Sequence, residues 1–365
     1  MEKFSKQLKP VLLGIIWLSI SSLLLGQKHE LILPANELKV AFYNVENLFD
    51  TINDPDINDS SYLPTSQVAW NTERYLTKLD NISRVIAAMD TLDFPHLLGL
   101  SEVENKKVLQ DLIKNRQLIG AGYEIVHYDG PDRRGIEVAL LYRSQYFTPV
   151  FSQSTEVDRE GIGRSNPRDI LYVKGILTNQ DTIHLFVNHW SSRWGGASET
   201  AYLRNHTARF LRKVIDSLFT VNSRNNIIVM GDFNDNPDDE SLSLYLNAKS
   251  IEDEIQPAAL YNPAMNLYLE GKGTSYYNNN WDFFDQIIIS GNLINPVNGG
   301  WIASRIEVVK KPWMLYHPPR GGEPRPNRTS STRSYFGGYS DHLPVMMRFS
   351  LQKKNREEDS IFNSL

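Results

Sequence analysis

Residues 226–235, NIIVMGDFND, decide how the rest of the chain is read. Ile227 to Met230 are consecutive apolar residues, which suits a short strand buried on both faces, and Gly231 breaks the run. At the break stand Asp232, Asn234 and Asp235, whose side chains can ligate a hard cation or orient a water. Polar groups at the C-terminal lip of a buried strand are where α/β proteins place catalytic residues. The same residues also make an ordinary Asx-rich turn. Partners elsewhere in the chain have to decide between the two.

Working outward, short apolar runs recur. LKVAFY (38–43), HLLGLSEVE (96–104), YEIVHY (123–128), IEVALLYR (136–143), ILYVKGIL (170–177), TIHLFVNHW (182–190), DQIIIS (285–290) and PVMMRFS (344–350) all read as strands. Leu76, Leu79, Ile82, Val85, Ile86 and Met89 fall at helical spacing, a short helix is expected near 106–118, and 199–219 is helical with its apolar residues largely on one side. Residues 51–72 are rich in Asn, Asp, Ser and Pro and read as a long surface loop. Continuous apolar strands call for sheets covered on both faces, while the helices are too few for strict βαβ alternation. The expected class is therefore α/β (α+β), with two packed mixed sheets flanked by helices.

A chain of 365 residues with 41% hydrophobic and 11% aromatic content buries a sizeable core and is not disordered. A net charge of −5 argues against non-specific coating of nucleic acid but leaves room for one basic groove. Such a stretch exists between Arg305 and Arg333, where seven Lys/Arg stand against two Glu, with Trp313, Tyr316 and His317 interleaved. It suits either a phosphate-tracking, base-stacking loop or a solvated insertion. With no cysteine there are no disulfides, thiolate metal sites or thiol nucleophiles. Lys3, Lys6 and Lys9 precede an apolar run, Val11 to Gly26, which reads as a secretory signal cut near Gly26–Gln27, with an uncleaved anchor as the alternative. The expected organisation is a signal at 1–26, one domain over 28–350 and a polar tail at 351–365. The expected location is periplasmic or extracellular.

Other strands end as the opening one does. Asn44 and Glu46 follow the first, Glu102 and Glu104 the second, and Asn188 and His189 a later one. Asp282 and Asp285 open a further strand, and Ser340, Asp341 and His342 open the last. Carboxylate and amide oxygens with imidazoles suit Mg²⁺, Mn²⁺ or Ca²⁺. The order NVEN, SEVEN, GIEVALLYR, NHW, GDFND, DQI, SDH resembles the endonuclease/exonuclease/phosphatase superfamily, which includes deoxyribonuclease I and the apurinic endonucleases, and spans residues 38–350.

The resemblance implies a four-layer α/β sandwich of the deoxyribonuclease I-like type and hydrolysis of phosphoric esters. It implies that Glu102 and Asp341 bind metal, with Asn44 and Glu46 beside them. Glu46 departs from the aspartate of many relatives. His342 would contact the scissile phosphate, with Asp285 fixing its tautomer. Asp232 would orient or deprotonate water and Asn234 hold the phosphate. His189 would be a second histidine paired with Glu137, a pair that apurinic enzymes lack. Asn188, Arg168, Arg193, Trp194 and Arg134 are candidates for substrate contact. The reading is an exported, Mg²⁺-dependent phosphodiesterase, an endonuclease, with Mn²⁺ or Ca²⁺ as alternatives to Mg²⁺. It would act as a monomer on DNA or RNA, with no stable membrane association once the signal is removed. The rivals are a sphingomyelinase-like or inositol-phosphate hydrolase and a binding module with a dead site.

Overall fold

In the computed structural model, which describes residues 36–163, 165–297 and 299–352, the run at 227–230 is buried in two directions at once. Ile228 and Met230 enter one core, and Ile227 and Val229 another. Successive strand residues point to opposite faces, so a strand covered on both sides must be apolar throughout. The expected signal segment and residues 353–365 lie outside the described residues.

In chain order the strands are β1 (Glu37–Leu48), β2 (Leu97–Val103), β3 (Tyr123–His127), β4 (Glu137–Arg143), β5 (Phe147–Thr155), β6 (Ile170–Leu177), β7 (Thr182–His189), β8 (Asn226–Asp232), β9 (Ala248–Lys249), β10 (Leu260–Tyr261), β11 (Ser275–Tyr277), β12 (Asn280–Asp282), β13 (Asp285–Ser290), β14 (Gly300–Ala303), β15 (Glu307–Val308), β16 (Leu315–Tyr316), β17 (Arg325–Pro326) and β18 (Val345–Gln352). The helices are α1 (Thr72–Ala87), α2 (Lys106–Ile113), α3 (Ala197–Val221) and α4 (Ala264–Leu269).

One sheet runs β14-β18-β1-β2-β4-β3, with β15 also on β18, and the other runs β5-β6-β7-β8-β13-β10-β9. Each is mixed. β1 and β2 are parallel, as are β7 and β8, while β18 runs antiparallel to β1 and β13 to β8. Val40, Phe42 and Leu140 of the first sheet pack on Val187, Met230 and Ile287 of the second. The opposite face of the first sheet takes Leu79, Ile82 and Val85 of α1 and Leu109 of α2. The opposite face of the second takes Leu211, Ile215 and Phe219 of α3. The order is helix, sheet, sheet, helix. At Gly99 there is no room for a side chain between the sheets, since a Cβ would lie 3.0 Å from Met230 Sδ of the facing sheet and 3.0 Å from the neighbouring Phe42 ring.

Several local expectations change. Residues 51–72 do form a largely exposed surface loop, but it is pinned at Trp70, which is fully buried, donates to Phe49 O at 3.1 Å and closes an aromatic group with Tyr62 and Tyr335. On α1, Leu76 is 54% exposed, whereas Lys78 is buried on the apolar face. β5 and the β11–β12 hairpin were not foreseen. The latter turns through Asn278 and Asn279, both at positive φ (48° and 65°), which suits a two-residue turn whose twist matches the strands. Leu351 and Gln352, expected in the tail, belong to β18 and pair with β14. Among the described residues no helix is long and apolar enough to cross a membrane.

Candidate active site

Strand direction alone brings the polar strand ends together. β1 and β2 are parallel, so Asn44 and Ser101 lie in register and Glu102 follows at the same edge. In the second sheet His189 pairs with Asp232 in parallel register, and Asp285, opening the antiparallel β13, sits opposite Asp232. The residues preceding β18 arrive at that edge because β18 runs antiparallel to β1. The register slips in β1 between Asn44 and Leu48 and in β2 between Ser101 and Val103, and these bulges re-aim the side chains they carry. Glu46, Asn47, Glu102 and Asn234 all sit at positive φ, between 50° and 62°. Left-handed backbone at non-glycine residues costs energy and collects at functional sites.

Asp232 is buried at the centre. Its Oδ1 accepts from the Asn234 N–H at 2.9 Å and its Oδ2 from Asn44 Nδ2 at 2.9 Å. His189 Nε2 and His342 Nε2 stand 3.7 and 3.8 Å from the same Oδ2. Burial pushes the Asp232 carboxyl up to about 6, against the pull of His342. The two histidines are driven apart. Burial lowers the proton affinity of His342, but Asp285, 2.7 Å from its Nδ1, together with Asp232 and Asp341, holds it well above the usual range and therefore charged. Burial, reinforced by Arg168, Arg134 and His342, holds His189 well below that range and neutral. Ser340 fixes the last loop, donating to Asn44 O at 2.7 Å and accepting from His342 N at 3.0 Å.

Glu102 borders this centre. Its Oε2 accepts from Asn47 N at 2.9 Å, while Oε1 faces Asn44 Nδ2 at 3.4 Å and His189 Nε2 at 3.8 Å. Asp341 is more open, its side chain 37% exposed and 3.2 Å from Arg328 Nη2. The donor set is hard oxygen and imidazole nitrogen without sulfur, which fits a divalent cation such as Mg²⁺. Asp232, Asp285 and His342 also bring three potential ligand atoms within 4.8 Å of one another, and Asp285 Oδ1 is buried with no hydrogen-bond partner among the described residues.

Other expected residues are placed differently. The implied His189–Glu137 pair is not formed. Among the described residues His189 Nδ1 has no partner. The Glu137 carboxyl lies against Gly130, where a Cβ would fall 2.3 Å from Oε2. Burial beside Asp132 raises Glu137 to about 8, so it is largely protonated at neutral pH and cannot hold His189 charged. Glu46 turns away from Asp232, its oxygens accepting from Arg328 Nε at 3.2 Å, Thr329 N at 2.6 Å and Ser330 N at 3.4 Å. It anchors the basic loop. Asn234 donates its side-chain amide to Trp190 O at 3.1 Å, so only its backbone N–H faces Asp232.

Asn188 is wholly internal, donating to Phe186 O and Met230 O and accepting from Trp190 Nε1. Arg193 is occupied by Asp235, Asp239 and the Asn234 carbonyl, and Arg204 of α3 lies 2.7 Å from the same Asp235. Asp235 is thus a structural hub. Arg168 bonds Asp132 at 2.7 Å and the carbonyls of His189 and Trp190, bracing the loop after β7. Arg134 is half exposed beside Asp132, and Trp194 is 91% exposed on the rim.

Three residues near the site escaped the sequence reading. Lys78 is fully buried and donates to Thr329 Oγ1 and, at 2.7 Å, to Tyr339 O. Its signal was there, since it lies three residues after Tyr75 and four before Ile82 on the apolar stripe, where a cation requires partners. Arg328, bridging Glu46 and Asp341, was one basic residue among seven. Tyr62 stacks on Phe49 at 4.2 Å, and burial with Glu102 and Glu46 nearby raises its hydroxyl pKa.

A sequence model described as the Endonuclease/Exonuclease/phosphatase family matches residues 39–351. No curated protein matches significantly. Among solved structures, a protein of the same family from Bacteroides thetaiotaomicron is similar with a TM-score of 0.53 at 16% identity, over 87% of this chain and 95% of that one. A mannosyl-6-phosphatase from Bacteroides thetaiotaomicron is similar with a TM-score of 0.52 at 17% identity, over 86% and 99%. The human Nocturnin catalytic domain with bound sulfate gives a TM-score of 0.52 at 16% identity, over 88% and 96%. At such identities these likenesses establish the layered two-sheet fold.

Proposed function

Because this chain belongs to the endonuclease/exonuclease/phosphatase family and so to the phosphoric-ester hydrolases, we propose that it is an exported, divalent-metal-dependent phosphodiesterase that cleaves DNA or RNA. One observation carries the chemistry: Asp232 Oδ2 stands 3.7 and 3.8 Å from the Nε2 atoms of His189 and His342, with burial lowering the pKa of the first histidine and Asp285 raising that of the second.

A phosphodiester is an anion that repels an anionic nucleophile, so its hydrolysis needs positive charge on the phosphoryl oxygens and a base for the incoming water. Asp232 supplies the base. Its lifted pKa makes it a better proton acceptor than an ordinary aspartate while leaving it ionised at neutral pH. Asn44 orients it by donating to Oδ2. His342 supplies a charged N–H at Nε2 to the phosphoryl or leaving oxygen, and Asp285 holds the ring through Nδ1. His189, kept neutral, offers Nε2 as a further partner at the same oxygen. Glu102 and Asp341 would hold the cation, which when bound neutralises phosphate charge as a Lewis acid. Export rests on the basic, then apolar, N-terminal pattern.

The test is a substrate panel. With Mg²⁺ or Mn²⁺ the protein is expected to nick plasmid DNA or cut RNA, and to stop when chelator is added. Sphingomyelin, inositol phosphates and phosphosugars should turn over poorly. Cleavage that persists in chelator, or in His342→Ala, would overturn the mechanism. Preference for a lipid or sugar phosphate would overturn the substrate. Exported material whose N-terminus is still Met1 would overturn signal cleavage.

A further inference from the structure

We propose that the cleft beside Asp341 takes the base of an unpaired nucleotide attached to the reacting phosphate, which makes the protein selective for single-stranded over duplex nucleic acid. This rests on the nucleic-acid reading above and specifies its substrate.

The cleft, of about 620 Å³, is bordered by Tyr276 and Tyr277 of β11, Tyr316 of β16, Arg325 of β17, and Arg328 and Phe336 beyond it. That volume is in the range of sites for small organic ligands. Asp341 and Arg328 are part of its lining, and Asp341 directly precedes His342, so the cleft adjoins the proposed catalytic centre. The hairpin forming one wall is fixed to the catalytic elements. Ser275 bridges to His342, Leu343 N donates to Thr274 O at 2.7 Å, and Asp285 N donates to Thr274 Oγ1 at 3.2 Å. The other wall is fixed by Glu46 and Lys78, which grip Arg328, Thr329 and Ser330 from beneath.

The rings themselves face solvent. Tyr277 is 71% and Phe336 55% exposed, and neither belongs to a core cluster. Arg325 lies over the Tyr316 ring, 5.2 Å from its centroid. Exposed rings on anchored elements beside guanidinium groups suit a flat ring with a polar edge and an adjacent phosphate. A nucleotide has all three features. A base inside a duplex is stacked on its neighbours and cannot enter such a cleft without being extruded, whereas an unpaired base enters freely.

The experiment compares three substrates with Mg²⁺ present: a single-stranded oligonucleotide, the same strand in a duplex, and methyl 4-nitrophenyl phosphate. The wild-type protein is expected to cut the single strand at least about tenfold more efficiently than the duplex. Tyr277→Ala and Phe336→Ala should lower the ratio of single-strand to nitrophenyl-ester turnover, mainly through KM, by about 5- to 150-fold, the equivalent of the roughly 1–3 kcal/mol that a stacked base contributes. Leu92→Ser, on a remote exposed residue, controls for substitution as such. Equal cleavage of single strand and duplex, or an unchanged ratio in both cleft variants, overturns the cleft while the nuclease reading stands. No cleavage of either nucleic acid by a protein that hydrolyses the nitrophenyl ester overturns both.

Discussion

Asp232 and His342 show how burial sorts ionisable groups into roles. Both are buried within 4 Å of each other, yet the carboxyl is raised to about 6 and the imidazole well above its usual range. The working state is therefore carboxylate beside imidazolium, and the rate should rise as pH climbs through about 6 and fall once His342 loses its proton. The anion of Asp285 sustains that upper limit. Asp285→Asn keeps the shape and removes the charge, so the alkaline limb of the kcat profile should move to lower pH and kcat should fall by about 10²- to 10⁴-fold. The acid limb, set by Asp232, should move slightly to lower pH, because the Asp285 anion also helps raise that carboxyl. A pH–rate profile of the variant that superimposes on the wild type after scaling would show that Asp285 does not hold the proton on His342.

At the scale of elements, the basic loop is tied to the sheets through α1. Lys78 projects from the apolar face of α1 to Thr329 and the Tyr339 carbonyl, while Asn81 reaches the carbonyls of Gly337 and Gly338 at 3.1 and 2.9 Å. Lys78→Met keeps the aliphatic stem and removes the charged donor, which should cost about 1.5–3 kcal/mol in unfolding free energy. Amide exchange should quicken most over 327–340, and unchanged exchange there would count against the tie. These long-range ties also mark what could be read in advance. Strand ends carry their chemistry locally, so Asn44, Glu102, His189 and Asp232 were visible as polar residues closing apolar runs, and Asp285 and His342 as polar residues opening them. The direction of Glu46 and Asn234 was not, because bulges and left-handed backbone re-aim them without a trace in the apolar pattern. Nor were the partners of Arg193 and Arg168, since an arginine near a motif reads the same whether it meets substrate or Asp235 and Asp132.

For the whole molecule, opposite shifts on different groups set the pH range of greatest stability. Asp90 joins Lys39 of β1 at 2.8 Å and Arg348 of β18 at 3.3 Å, and despite burial these partners lower it to about 2. A depressed carboxylate contributes stability above its unfolded pKa, and that contribution is lost as pH falls from about 4 towards 2. His96, buried and neutral with its pKa lowered to about 4, adds a loss between about 6.5 and 4, because the unfolded ring binds its proton first. Glu104 acts in the other direction. Burial raises it to about 7, so the folded chain holds its proton more tightly, and the stability this gives is lost as pH rises from about 4.5 to about 7. Glu137, raised to about 8, extends the loss further. Between about 4.5 and 6.5 the histidine and carboxyl terms oppose each other, so the melting temperature should form a plateau there and drop on both sides. Glu104→Gln keeps an acceptor for the Asp50 N–H, now at 2.8 Å from the Glu104 carboxyl, and removes the charge that must be buried. It should raise unfolding free energy at pH 8 by about 3 kcal/mol and change it little at pH 4.5. Melting curves of the two proteins that differ equally at both pH values would mean that Glu104 does not carry the alkaline loss.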